Sequence, residues 1–261
     1  MKMLFYTTLF LLTGFSAHTQ DFSAYSESYF LYRNTELPYR MLLPEEAGAR
    51  QYPLLVFLHG AFEKGNDNKT QLTIGGSFFL RDSVRKNYPA YVLFPQCPAD
   101  DSWAYFENQV DFTTGYAKDW NFPFRKEPTM ITQVLKKLID SVCASGKIDL
   151  SRVYIAGLSQ GGMGVLDMIA RYPDLFAAGI SMCGAGDPST SKLFLDKVAL
   201  WMFHGDKDPV VPPEFSKQFY RKLRKSKKDD RLSLYANVQH DCWNKAFAEP
   251  DLLAWLFAQK K

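Results

Sequence analysis

Val153-Tyr154-Ile155-Ala156-Gly157-Leu158-Ser159-Gln160-Gly161-Gly162 is the stretch that decides how this chain folds. Its first four residues form an apolar run of strand length, suited to a strand buried on both faces. Gly157 and Gly161 bracket Ser159 in the pattern G-x-S-x-G, and an apolar pattern of helical period follows over 162–172. A turn this sharp holds its central residue in unfavourable backbone geometry. It also brings the flanking backbone so close to its neighbours that a Cβ at 157 or 161 would collide, hence the glycines. Such a turn lifts a hydroxyl to the end of a sheet and aims a helix N-terminus at it, where developing negative charge is stabilised. The pentapeptide alone is moderate evidence, because only three of its five positions are fixed. Its place between a buried strand and a helix gives it weight.

Working outward, similar apolar runs occur at 54–58, 91–94, 177–182, 198–203 and 232–238. Helical patterns lie between several of them, at 128–144 and 212–223, and another closes the chain at 251–258. Strands alternating with helices predict parallel βαβ units in a doubly wound sheet. Residues 26–40, rich in Tyr, Phe and Leu, read as an edge hairpin. Residues 100–127 stand apart, with Trp103, Tyr105, Phe106, Phe112, Tyr116, Trp120, Phe122 and Phe124 among Gly and Pro and no clear period. A long irregular insertion after a strand either walls or lids a cleft at the carboxyl edge, or packs as a surface loop.

The 261 residues are 46% hydrophobic, apolar enough to bury a substantial core. A formal net charge of +3 over that length leaves no electrostatic footprint for nucleic acid. Lys2, an apolar stretch over 4–15 and the small residues Ser16-Ala17 predict an export signal in residues 1–20, cleaved between Ala17 and Gln20. That apolar stretch is too short to span a bilayer. The remainder, 21–261, reads as one α/β catalytic domain that is secreted or periplasmic. Of the four cysteines, Cys97, Cys143, Cys183 and Cys242, the pair 183/242 is the first to test for a bridge. Buried free thiols are the plainer reading.

A serine hydroxyl needs a base, and the chain has four histidines. His18 lies in the signal. His204 directly ends a strand, where a structural role suits it. His240 follows a late strand and opens the loop before the last helix, which makes it the candidate base. The acid belongs after the strand at 198–203, where Asp206 and Asp208 both qualify. Asp208 is the choice, because Pro209 fixes the chain behind it and Val210 and Val211 can anchor its loop. Asp206 suits backbone amides of the turn. Two amides should hold an oxyanion, that of Gln160 after the serine and that of Ala61 in His59-Gly60-Ala61 after the strand at 54–58.

Phe57-Leu58-His59-Gly60-Ala61, Phe94-Pro95-Gln96-Cys97-Pro98, the 157–164 elbow, the 204–212 loop and His240-Asp241-Cys242-Trp243 together resemble a known group. They look like secreted bacterial carboxylesterases of the prolyl-oligopeptidase-like superfamily, similar to feruloyl and acetyl-xylan esterases. The likeness covers residue 30 to the end. It implies the α/β-hydrolase fold, a mostly parallel doubly wound sheet with helices on both faces. It also implies a triad on Ser159, Asp208 and His240 and oxyanion amides on Ala61 and Gln160. The group commonly carries Gly-Glu-Arg-Gly where this chain has Phe62-Glu63-Lys64-Gly65, a departure that bears on substrate contacts. Glu63, Trp103 and Trp243 are the expected substrate-binding residues.

No metal or other cofactor is expected, since the histidines are dispersed and neither H-E-x-x-H nor CxxC occurs. The expected activity is hydrolysis of a small-molecule or polysaccharide-linked ester through an acyl-enzyme, with feruloyl or acetyl esters of plant polysaccharides as candidate substrates. A peptidase is the enzymatic alternative. A non-catalytic binding protein on the same scaffold is the alternative of another class.

Overall fold

The computed structural model describes residues 20–45 and 50–261. The expected export signal, apart from Gln20, lies outside the described residues. Ten strands and seven helices are described. The strands are β1 (Tyr25–Tyr32), β2 (Thr35–Leu42), β3 (Tyr52–Leu58), β4 (Tyr91–Pro95), β5 (Glu107–Val110), β6 (Ala117–Asn121), β7 (Ile148–Leu158), β8 (Ala178–Met182), β9 (Ala199–Gly205) and β10 (Arg231–Tyr235). The helices are α1 (Gly76–Phe79), α2 (Asp82–Asn87), α3 (Met130–Cys143), α4 (Gln160–Arg171), α5 (Glu214–Leu223), α6 (Trp243–Ala246) and α7 (Leu252–Ala258).

Eight strands form one sheet in the order β1-β2-β4-β3-β7-β8-β9-β10. The β1/β2 and β2/β4 pairs are antiparallel, and every pair from β4 to β10 is parallel. Arg33 and Asn34 turn the β1–β2 hairpin, both with left-handed φ (49° and 62°), as a two-residue hairpin of the type I′ class requires. All seven residues of β3 are buried. Leu54, Val56 and Leu58 face a core shared with α3 and α4, and Leu55 and Phe57 face a second core with α1 and α7. Helices on both faces explain why this strand reads as a continuous apolar run. Each such side chain contributes roughly 1.5–3 kcal/mol through burial.

The aromatic insertion divides into three fates. Trp103 enters the core, with no solvent exposure. Phe106, Trp120 and Phe122 pack with Phe215 on Ala104, Met163, Ala185 and Val211, with Trp120 and Phe122 stacked at 5.8 Å. Phe112 and Tyr116 stand exposed between β5 and β6, an isolated antiparallel hairpin apart from the main sheet. No helix among the described residues is long and apolar enough to cross a membrane.

Candidate active site

Four strand ends converge on one edge of the sheet. Ser159 leaves β7 with φ 52° and ψ −119°, a left-handed conformation for a residue with a Cβ, and caps α4. Its N–H donates to the Met182 carbonyl at the end of β8 (2.8 Å). A Cβ on Gly157 would lie 2.5 Å from the Gly161 carbonyl oxygen, and one on Gly161 would overlap the Leu58 carbonyl. Backbone blocks both positions, so only glycine permits the elbow.

His240 follows β10 and reaches back across 81 residues, with Nε2 2.9 Å from Ser159 Oγ. Its Nδ1 lies 2.7 Å from Asp208 Oδ2. The Asp208 side chain is fully buried, and its Oδ1 accepts the N–H groups of Val210 (2.9 Å) and Val211 (3.0 Å). Burial by itself would push this carboxyl up. Hydrogen bonds from His204, His240 and the Val211 amide outweigh it and hold the carboxyl well below its ordinary range. The three residues singled out in the sequence therefore meet as a hydrogen-bonded chain. Asp206 takes another task, accepting the Asn237 N–H (2.7 Å).

Ala61, expected from the sequence to supply an oxyanion amide, opens a short 3-10 turn, Ala61–Glu63, and Gly60 precedes it. The point where a Gly60 Cβ would stand lies 3.6 Å from Ser159 Cβ and 3.1 Å from a Glu63 carboxylate oxygen. Gly60 thus packs against the serine, and Gln160 begins α4 directly after it. His59 braces this turn. Its Nδ1–H donates to the Gly60 carbonyl (2.6 Å), and its Nε2 accepts the Cys97 N–H (2.9 Å). Burial lowers the His59 imidazole to about 4, so the ring is neutral. Gln96 ties down the next polar loop, donating to Asp67 and accepting from the Asn68 N–H.

The expected substrate contacts separate. Trp243 meets the His240 ring edge-on at 5.8 Å. Glu63 ends the Ala61–Glu63 turn, and burial raises its carboxyl above the ordinary range. Trp103 is wholly buried, donates its indole N–H to the His59 carbonyl (3.2 Å) and packs on Gly164, which places it beneath the His59-Gly60 turn, away from the surface. Phe62, named in the sequence only within the Phe62-Glu63-Lys64-Gly65 departure, follows Ala61 and is 96% exposed.

All four cysteines are free thiols. Cys183 and Cys242 are hydrogen-bonded neighbours, and burial, with Cys242 and Asp208 nearby, holds the Cys183 thiol far above its ordinary range. Cys183 Sγ, an Asp208 oxygen and a His240 nitrogen lie within 4.8 Å of one another, the one such grouping among the described residues. It suits a metal poorly, because the thiol resists ionising and the other two groups already bond each other.

A shallow depression lies beside the aromatic cluster, lined by Ala104, Tyr105, Phe122, Met163 and Ala185 among others. The eight-stranded sheet, the elbow and the late histidine define the α/β-hydrolase fold. Residues 45–250 match the model of the phospholipase/carboxylesterase family, to which this chain belongs. Among solved structures, a thermostable esterase superposes with a TM-score of 0.81 at 33% identity, over 92% of this chain and 64% of that one. A ferulic acid esterase shares the fold with a TM-score of 0.63 at 16% identity, over 89% and 98% of the two chains. A poly(3-hydroxyalkanoate) depolymerase of Paucimonas lemoignei is 28% identical over 136 residues, 51% of this chain and 28% of its own length. The chain spans under a third of the length of the curated relatives it matches.

Proposed function

We propose that the protein is an exported serine carboxylesterase that works through an acyl-enzyme on Ser159, with an aromatic acyl ester such as a feruloyl ester as preferred substrate. The reading rests on the hydrogen-bonded chain Asp208–His240–Ser159 at the mouth of the elbow. His240 Nε2 takes the Ser159 proton as Oγ bonds to the ester carbonyl carbon, and the carbonyl π electrons move onto oxygen. The Ala61 and Gln160 amides receive that oxyanion. Collapse expels the alkoxide, which takes the proton from His240, and a water activated by the same imidazole then releases the acid. Asp208 holds the imidazole tautomer throughout.

The aromatic acyl group is supported by the stacked Trp120 and Phe122 above Met163 and Ala185, a surface that accepts a planar ring. The acetyl alternative lacks such a reason. Export rests on Lys2 and the short apolar stretch that follows it.

Side-by-side turnover of p-nitrophenyl acetate, methyl ferulate and a short peptide amide tests the reading. Ferulate ester cleavage is expected to dominate, and cleavage of the amide alone would overturn the esterase in favour of a peptidase. A fluorophosphonate should label the protein and fail to label Ser159→Ala. A mature protein that keeps Met1 in its native host would end the export proposal.

A further inference from the structure

Asp208 is gripped by two imidazoles, and one of them has no part in the proton transfers just described. His204, at the end of β9, is completely buried. Its Nε2 lies 2.9 Å from the Val211 carbonyl and 3.2 Å from Asp208 Oδ2. Both of those atoms are acceptors, so Nε2 carries the proton. Nδ1, 2.8 Å from Ser216 Oγ on α5, takes the hydroxyl as its partner. The Asp208 carboxylate is thus held at four points: two amides on Oδ1, and two ring N–H groups on Oδ2. A buried carboxylate so held cannot rotate away from the base.

We infer that His204 is a positioning residue for the triad, fixing the angle and the charge of Asp208 through its Nε2–H while Ser216 fixes the ring. This rests on the triad reading given above. Removing the donor leaves the Asp208 charge undivided on the Nδ1–H of His240, so the base takes up its proton at higher pH. The other groups facing the pair are the Cys183 thiol from the end of β8, the Ser159 hydroxyl from the elbow and the Trp243 ring from α6, all uncharged in the resting protein.

The test compares His204→Leu, His204→Gln and Ser216→Ala in the full chain, with Ser159→Ala as control and p-nitrophenyl acetate as substrate. A glutamine amide nitrogen stands as many bonds from Cβ as Nε2 does and restores the donor. His204→Leu is expected to lose about 10- to 100-fold in kcat, as for a hydrogen bond to a charged group, with KM little changed. Its acidic limb of kcat/KM should move to higher pH. His204→Gln should recover most of the loss, and Ser216→Ala should show a smaller loss in the same direction. If His204→Leu does not fold, the other two variants carry the decision. Folded His204→Gln that has lost tenfold or more in kcat, beside folded Ser216→Ala with kcat and pH profile unchanged, would overturn the inference. A dead Ser159→Ala beside a folded, fully active His204→Leu would sink it alone. Turnover retained in Ser159→Ala would sink the triad as well.

Discussion

The Asp206 carboxylate accepts the backbone N–H of Asn237 at 2.7 Å, which ties the loop carrying Asp208 to the loop carrying His240. Two acidic residues two positions apart therefore do different work. One spans the loops from the surface, and the other is sealed beneath the imidazole.

Asp208→Asn should reduce kcat by about 10³- to 10⁴-fold, the scale expected when the base is left with the wrong tautomer. Asp206→Ala removes one partly exposed hydrogen bond and should cost about 1 kcal/mol of stability, with less than about tenfold in kcat. Steady-state kinetics and urea unfolding of both variants check this. The opposite ranking would exchange the two assignments.

Trp103→Ala and Phe122→Ala should fail in different ways. Trp103 is fully buried with its N–H bonded, so truncation should cost about 3–5 kcal/mol and leave the ratio of ferulate to acetate turnover unchanged. Phe122 lines the depression, so its truncation should lower that ratio while stability falls less. Thermal unfolding beside a two-substrate assay distinguishes them.

His59 sets an acid limit on stability. Its neutral Nε2 accepts the Cys97 N–H, and a proton there would set donor against donor. Burial lowers the ring from 6.5 to about 4, so the unfolded chain binds a proton before the folded one does. Stability from this site is complete above pH 6.5 and is lost as pH falls toward 4, about 3 kcal/mol in all. Chemical unfolding across that window should show the fall. His59→Gln, which does not titrate, should flatten it whatever its stability at neutral pH.

Glu63 has the opposite sign. Burial raises its carboxyl, so the folded state favours the protonated form, and stability is lost as pH rises from the ordinary glutamate range through the raised value. Glu63→Gln should therefore raise Tm relative to the unaltered protein at pH 7 and not at pH 4. Equal Tm differences at both pH values would show that the carboxyl does not titrate in this way.

The strands at the centre of the sheet were legible because burial on both faces leaves a continuous apolar run, as at Leu54 to Leu58. Boundaries were less so. The run expected to reach Val238 stops with β10 at Tyr235, and α4 starts two residues before the expected helix, directly after Ser159. β5 and β6 were invisible because Glu107-Asn108-Gln109-Val110 is exposed throughout and carries no alternation. The aromatic insertion gave no clue to which ring enters the core, since Trp103 and Phe112 have the same local polarity and opposite burial.

The sequence by itself determined the elbow, because only glycine fits where the Leu58 and Gly161 carbonyls crowd the turn, and that is a local steric demand. Chain order then singled out His240, and Pro209 with the Val210-Val211 anchor favoured Asp208 over Asp206. Only the tertiary structure decided that Trp103 lies under the His59-Gly60 turn and that His204 grips the same carboxylate as His240. Those facts depend on where distant strand ends and loops come to rest, and no local pattern of polarity encodes such distances.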